Sequence, residues 1–289
     1  MATLKTIRRR IASVRSTQQI TRAMKLVAAS RLRRAQEALI NARPYHEALR
    51  RVADSILASE QAQAAAKPAE NAAPTALMVT VASDRGLCGG YNSNLVRAAE
   101  QQAHRLRAGG LEVKFFAVGR KSLDALRHYG AAIGGERINN LPRLATVALA
   151  REIAGKILAD YRTGALSEAG VIYSAFHSAL SQRPTYERLL PIEPASGEAE
   201  GATTEYLIEP SAAELVPAVL RSYVEAAIFH ALLEAEASEH GARMTAMDSA
   251  TNNATEMIAR LTLEMNRARQ ATITRELMDI VGGAEALRG

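Results

Sequence analysis

The sequence predicts an α/β fold carried between two long helical arms, and three observations lead there. Residues 2–43 and 242–281 each run without Gly or Pro, so each can continue as one helix of about 40 residues, roughly 60 Å long. Between them the hydrophobic period shortens to apolar runs at 76–82, 111–118 and 170–175, bounded by Gly, Asp or polar turns, which read as buried strands. Helical patterns at 94–107, 120–129 and 144–163 alternate with those runs, the order of an open, Rossmann-like sheet. The arms are expected at 1–58 and 209–289 and the α/β domain at 75–208.

Each arm carries a seam at 3-4 spacing. The first reads Leu4, Ile7, Ile11, Val14, Gln18, Thr21, Lys25, Ala28, Leu32, Ala35 and Leu39, apolar at both ends and polar in the middle. The second reads Met244, Met247, Thr251, Ala254, Ile258, Leu261, Met265, Ala268 and Thr272. Neither stripe is apolar enough to hold a lone helix of that length in water, so the economical solution is an antiparallel coiled coil of the two. Pro44 ends the first uninterrupted run, and Gly282 with Gly283 form a natural stop for the second. The stretch 59–74, with two prolines and many alanines, reads as a joint. Strand-like pieces at 186–192 and 205–208 flank a stretch with Gly, Ala and acids at 195–204, expected to be a mobile hairpin. After Pro217 the pattern is helical again.

Charge narrows the function. The formal net charge is +6 and the pI about 9.6, but residues 1–36 hold ten Lys or Arg and no Asp or Glu. Arg8, Arg15 and Arg22 recur every seven residues beside the seam, where they can meet acids on a flanking protein. Nucleic-acid binding is the rival reading of such charge, yet no aromatic residue precedes Tyr45, so base stacking is unavailable on this helix. The Arg-rich start continues unbroken into the helical pattern, which favours a structural helix over a transit peptide. No run of 18 to 20 uncharged apolar residues is present. The single cysteine, Cys88, excludes an internal disulfide and a multi-cysteine metal cluster.

Enzyme signatures are weak. The string Ser83-Asp84-Arg85-Gly86-Leu87-Cys88-Gly89-Gly90-Tyr91-Asn92 follows a strand pattern and precedes a helix, where α/β enzymes place phosphate loops. It matches neither common glycine fingerprint and no Lys follows its glycines, so a tight structural turn is the better reading. Cys88 reads as a small buried apolar side chain. The six histidines lack metal-ligand spacing and read as scattered surface residues. No catalytic residue, metal or cofactor is expected.

The segment Ile7-Arg8-Arg9-Arg10-Ile11, continued by Thr17-Gln18-Gln19-Ile20-Thr21-Arg22-Ala23-Met24-Lys25-Leu26-Val27-Ala28-Ala29-Ser30, resembles the N-terminal signature of ATP synthase gamma subunits. Residues 242–254 and 266–277 resemble their C-terminal signature, and 83–92 fits the same family. The resemblance implies a non-catalytic central-stalk rotor within a ring of alpha and beta subunits. Its sheet domain would meet the epsilon subunit and the membrane c ring, with no nucleic acid. It further implies beta-subunit contacts at Met24 and Lys25 and at Arg269 and Gln270, and c-ring or epsilon proximity at Tyr206 and Glu209. The implied location is peripheral, on the cytoplasmic face of a bacterial inner membrane or the matrix face of a mitochondrion. The chloroplast branch's dithiol switch requires more than one cysteine and is therefore absent.

Overall fold

The computed structural model describes residues 4–69, 71–137, 145–192, 209 and 211–286. The pieces expected at 195–204 and 205–208, Tyr206 among them, lie outside the described residues. Helix α1 spans Leu4–Ile56 and α2 Glu60–Ala66. Then follow β1 (Thr75–Val81), α3 (Tyr91–Ala108), β2 (Glu112–Val118), α4 (Arg120–His128), β3 (Ile133–Arg137), α5 (Val147–Arg162), β4 (Glu168–Phe176), β5 (Gln182–Leu190) and α6 (Ala212–Ala286).

Their contacts divide the chain into two compact units, Met1–Val27 with Met244–Gly289, and Ala28–Arg243. The larger unit holds one five-stranded sheet in the order β3-β2-β1-β4-β5. Its first four strands are parallel, and β5 is antiparallel to β4. Alternate residues of β1 enter opposite layers, which is why the strand reads as continuously apolar. Leu77, Val79 and Val81 pack with α5 and the apolar part of α6, around Ile153, Ile157, Tyr223 and Ile228. Ala76 and Met78 pack with α3 and α4, around Leu95, Leu123 and Leu126. An 18-residue window of α6 reaches a mean hydropathy of 1.3, and half of it is buried inside the molecule.

Several boundaries depart from expectation. Helix α1 runs on through Pro44, past the end of the run free of Gly and Pro. Proline deprives the carbonyl four residues earlier of its donor, but Ile40 and Pro44 both lie on the exposed face, where water replaces the lost bond. Part of the presumed joint is α2, whose N-cap Ser59 accepts a hydrogen bond from Ala62 N–H at 3.2 Å. Strand β3 carries Gly134 and Gly135, and a Cβ on Gly135 would sit 2.5 Å from the Phe116 ring. The glycines therefore mark close packing rather than a turn.

The smaller unit is a helix pair. Lys25 Nζ meets Asp248 Oδ1 at 2.6 Å, Thr251 Oγ1 donates to Thr21 Oγ1 at 2.8 Å, and Gln18 Nε2 donates to Thr255 Oγ1 at 2.7 Å. Seven residues back along α1, from Lys25 to Gln18, are matched by seven forward along α6, from Asp248 to Thr255, so the pair is antiparallel. The polar middle of the seam thus satisfies itself across the interface. Ile7 and Thr21 are buried from α1, and Met247, Ala254 and Leu261 from α6. The seam closes at half-buried Ala268, because Thr272 and every residue from Arg269 to Gly283 is exposed. Gly282 and Gly283 do not stop the helix, which runs to Ala286.

Candidate functional site

In a sheet of this order the ligand crevice opens beyond the carboxyl ends of β1 and β4, where the connections diverge to opposite faces. The 83–92 loop leaves β1 at that point. The Ser83 hydroxyl donates to Arg85 O at 2.7 Å, Asn92 Oδ1 accepts from Ser83 N–H at 3.2 Å, and Asn92 Nδ2 donates to Cys88 Sγ at 3.2 Å. Leu87 and Gly89 take positive φ values of 64° and 58°. Asp84 Oδ1 accepts from Arg120 N–H at 2.9 Å, pinning the loop to the start of α4. Gly119 closes the other side, since a Cβ there would stand 2.1 Å from Ala82 O. The glycines serve turn geometry and close packing, and Cys88 is 2% exposed.

Helix α6 occupies the mouth of the crevice. Glu234 Oε2 accepts from Phe176 N–H at 2.6 Å, Ser238 Oγ donates to Ser174 O at 2.8 Å, and Tyr91 Oη donates to Ala235 O at 3.2 Å. One turn later Gly241 lets the helix approach closely, for its Cβ would stand 3.2 Å from the Phe176 ring and 3.4 Å from Ala179 Cα. Arg243 then spans the loop. Its Nη1 donates to Glu239 Oε1 at 2.6 Å, while Nη2 reaches Arg85 O and Gly86 O, each at 3.3 Å. A protein side thus fills the place where an α/β enzyme would hold a nucleotide.

His104, His128 and His177 are exposed, as expected of scattered surface residues, but the other three histidines are not. His46 of α1 and His230 of α6 stack at 4.5 Å and 5°, and the Nδ1 atom of each is buried with no hydrogen-bond partner among the described residues. Burial, then the neighbouring His46 and Arg43, push His230 down to about 4. Burial, then Arg50, lower His46, with Glu47 opposing. His240 is likewise pushed down to about 4 by burial and by Arg243, Arg31 and Arg34. These rings are neutral packing elements near neutral pH. No three His, Cys, Asp or Glu side chains converge as a metal site among the described residues.

On the helix pair, Arg8, Arg15 and Arg22 are exposed and make no ion pair among the described residues. Met24 and Lys25 are half-buried, and Lys25 is already engaged by Asp248. Arg269 and Gln270 are exposed just beyond the seam, and Glu209 is exposed. The residues brought together by the fold but invisible in the sequence pattern are Arg243, Glu239 and the 83–92 loop. Only the separate recurrence of both segments in the family's signatures hinted at them.

Fold and site define an α/β protein whose crevice is occupied by its own helix and whose antiparallel helix pair presents exposed arginines that make no ion pair among the described residues. A family model described as ATP synthase matches residues 3–287. The ATP synthase gamma chain of Geobacter sp. strain M21 is 44% identical over 100% of both chains, and that of Desulfitobacterium hafniense is 46% identical over 99% of this chain and 100% of its own. Among solved structures, the Tetrahymena thermophila mitochondrial ATP synthase central stalk and c ring matches with TM-score 0.62 and 26% identity, covering 80% of this chain and 99% of that one. The Euglena gracilis mitochondrial ATP synthase rotor matches in fold with TM-score 0.66 at 19% identity, over 93% and 98% of the chains. The chain belongs to the ATP synthase gamma-chain family. It is a central-stalk subunit, and the chemistry of ATP is not its own.

Proposed function

We propose that this chain is the rotor of an F-type ATP synthase, coupling proton flow through the c ring to the conformational cycle of catalytic beta subunits. The observation that carries this is the antiparallel helix pair, whose register is set by Lys25–Asp248, Thr21–Thr251 and Gln18–Thr255. A shaft does mechanical work only through contact energies that differ between partner conformations. Arg8, Arg15 and Arg22 supply unneutralised charge for acids on alpha and beta. Met24 and Lys25 form a neck contact with beta, and Arg269 with Gln270 a second one, placed where the seam ends. Glu209 is assigned to the side of epsilon and the c ring. The complex is membrane-attached, and this chain is held peripherally on the cytoplasmic face of the inner membrane through the c ring.

Co-purification tests the assembly. Tagged chain is expected to bring down alpha, beta and epsilon as an ATP-hydrolysing complex, and recovery of the chain alone would overturn the reading. The double variant Arg269→Ala, Gln270→Ala is expected to lower turnover of the assembled complex while leaving the circular dichroism of the isolated chain unchanged, because both side chains are exposed. Unchanged turnover would remove them from the beta contact.

A further inference from the structure

We infer that Arg243 is a positioning residue that latches the 83–92 loop to α6, so that load entering the sheet is delivered to the long helix without slack. The inference rests on the rotor reading above. Three features of the larger unit carry it. The Arg243 side chain is 11% exposed, and one nitrogen is held by Glu239, itself 14% exposed, so the guanidinium is anchored within its own helix turn. Its other nitrogen spans to two successive loop carbonyls, those of Arg85 and Gly86. A planar fork can serve all three acceptors at once, whereas a Lys ammonium at the end of a flexible stem cannot reproduce that span. Finally, the latch closes over Cys88, which is buried among Ser83, Asn92 and Arg85 O.

Cys88 makes the latch observable, being the only cysteine of the chain. Burial pushes its thiol up, and the Arg243 charge opposes that. The two roles of Arg243 therefore predict opposite signs. If the loop stays in place when the charge is removed, the thiolate fraction falls and alkylation slows. If the loop is released, the sulfur becomes accessible and alkylation accelerates.

The experiment follows Cys88 alkylation by N-ethylmaleimide, read by mass on this chain, in the assembled synthase in inverted membrane vesicles. Proton pumping per ATP hydrolysed is measured on the same vesicles. Arg243→Ala and Arg243→Lys are both expected to speed alkylation about tenfold to a hundredfold, the range for losing hydrogen bonds to a charged group, and to lower pumping per ATP. The Lys variant keeps the charge and so isolates the loss of the fork. Alkylation that slows or does not change in both variants would overturn the latch. Faster alkylation with normal pumping per ATP would overturn its part in coupling. Should Arg243→Ala fail to assemble, the Lys variant and alkylation of the isolated chain still decide the latch, whereas failure of the unaltered chain to assemble would count against the rotor reading alone.

Discussion

The two units of this chain are built to different standards of self-sufficiency. In the larger one, each face of the sheet is covered by helices, and side chains such as Ile153, Ile157, Leu95 and Leu126 are wholly buried. In the smaller one, the buried residues among those described are Ile7, Thr21, Met247, Ala254 and Leu261, one of them polar. Beyond Ala268 the helix continues with Ile273, Leu277, Met278, Ile280 and Val281 between 47% and 68% exposed. A helix of this length is not stabilised by propensity alone. The difference teaches that the sheet unit owes its stability to its own core, whereas the helix pair is finished only by what surrounds it.

Truncation in the sheet core should give the largest effect. Ile157→Ala, at a wholly buried position between α5 and the sheet, is expected to cost about 2–5 kcal/mol in urea denaturation of the isolated chain. Leu261→Ala, with a single helix opposite it, is expected to cost less than about half of that. Equal losses would mean that the helix pair has a core of its own and would break the contrast.

Acid should act next, and again on the larger unit. His230 and His240 titrate at about 4 when folded against about 6.5 when unfolded. Between those values the unfolded chain binds more protons, so stability is complete above about pH 6.5 and drains away as the pH falls toward 4. Each ring should contribute a loss of about 2 kcal/mol at pH 5 relative to pH 7.5. His46 acts in the same direction, and the groups facing the stacked pair are Arg43, Arg50, Glu47, Glu234 and Tyr173. His230→Gln is expected to flatten this pH dependence in urea midpoints. An unchanged profile would show that the stacked rings are already protonated when folded.

Much of this was legible from spacing. The two seams predicted which α1 and α6 residues turn inward, from Leu4 to Leu39 and from Met247 to Ala268, because a 3-4 repeat puts them on one face. The strands at β1, β2 and β4 were legible because both their faces are covered. What failed was punctuation. Pro44, Gly282 and Gly283 each look like breaks, but a proline on a wet face costs little and the helix runs on through the two glycines to Ala286. The latch was illegible for a different reason, since Arg243 and Arg85 stand 158 residues apart and neither is unusual in its own neighbourhood. The histidine stack was missed likewise, because His46 and His230 become neighbours only when α1 and α6 lie side by side.

The smallest stability effect, and the sharpest test of the contrast, belongs to Lys25. Its ion pair with Asp248 is short, but the side chains are 39% and 46% exposed, so breaking it should cost under about 1 kcal/mol. Lys25→Glu sets two carboxylates against each other within the helix pair and, under the proposed neck contact, also faces acids on beta. The exchange Lys25→Glu with Asp248→Lys separates the two, because it restores the internal attraction while moving the positive charge onto the other helix. If the helix pair is completed by its partners, the exchange should recover the thermal stability of the isolated chain but not proton pumping per ATP. Recovery of both would show that Lys25 serves only the pair, and the neck contact would then have to rest on Met24.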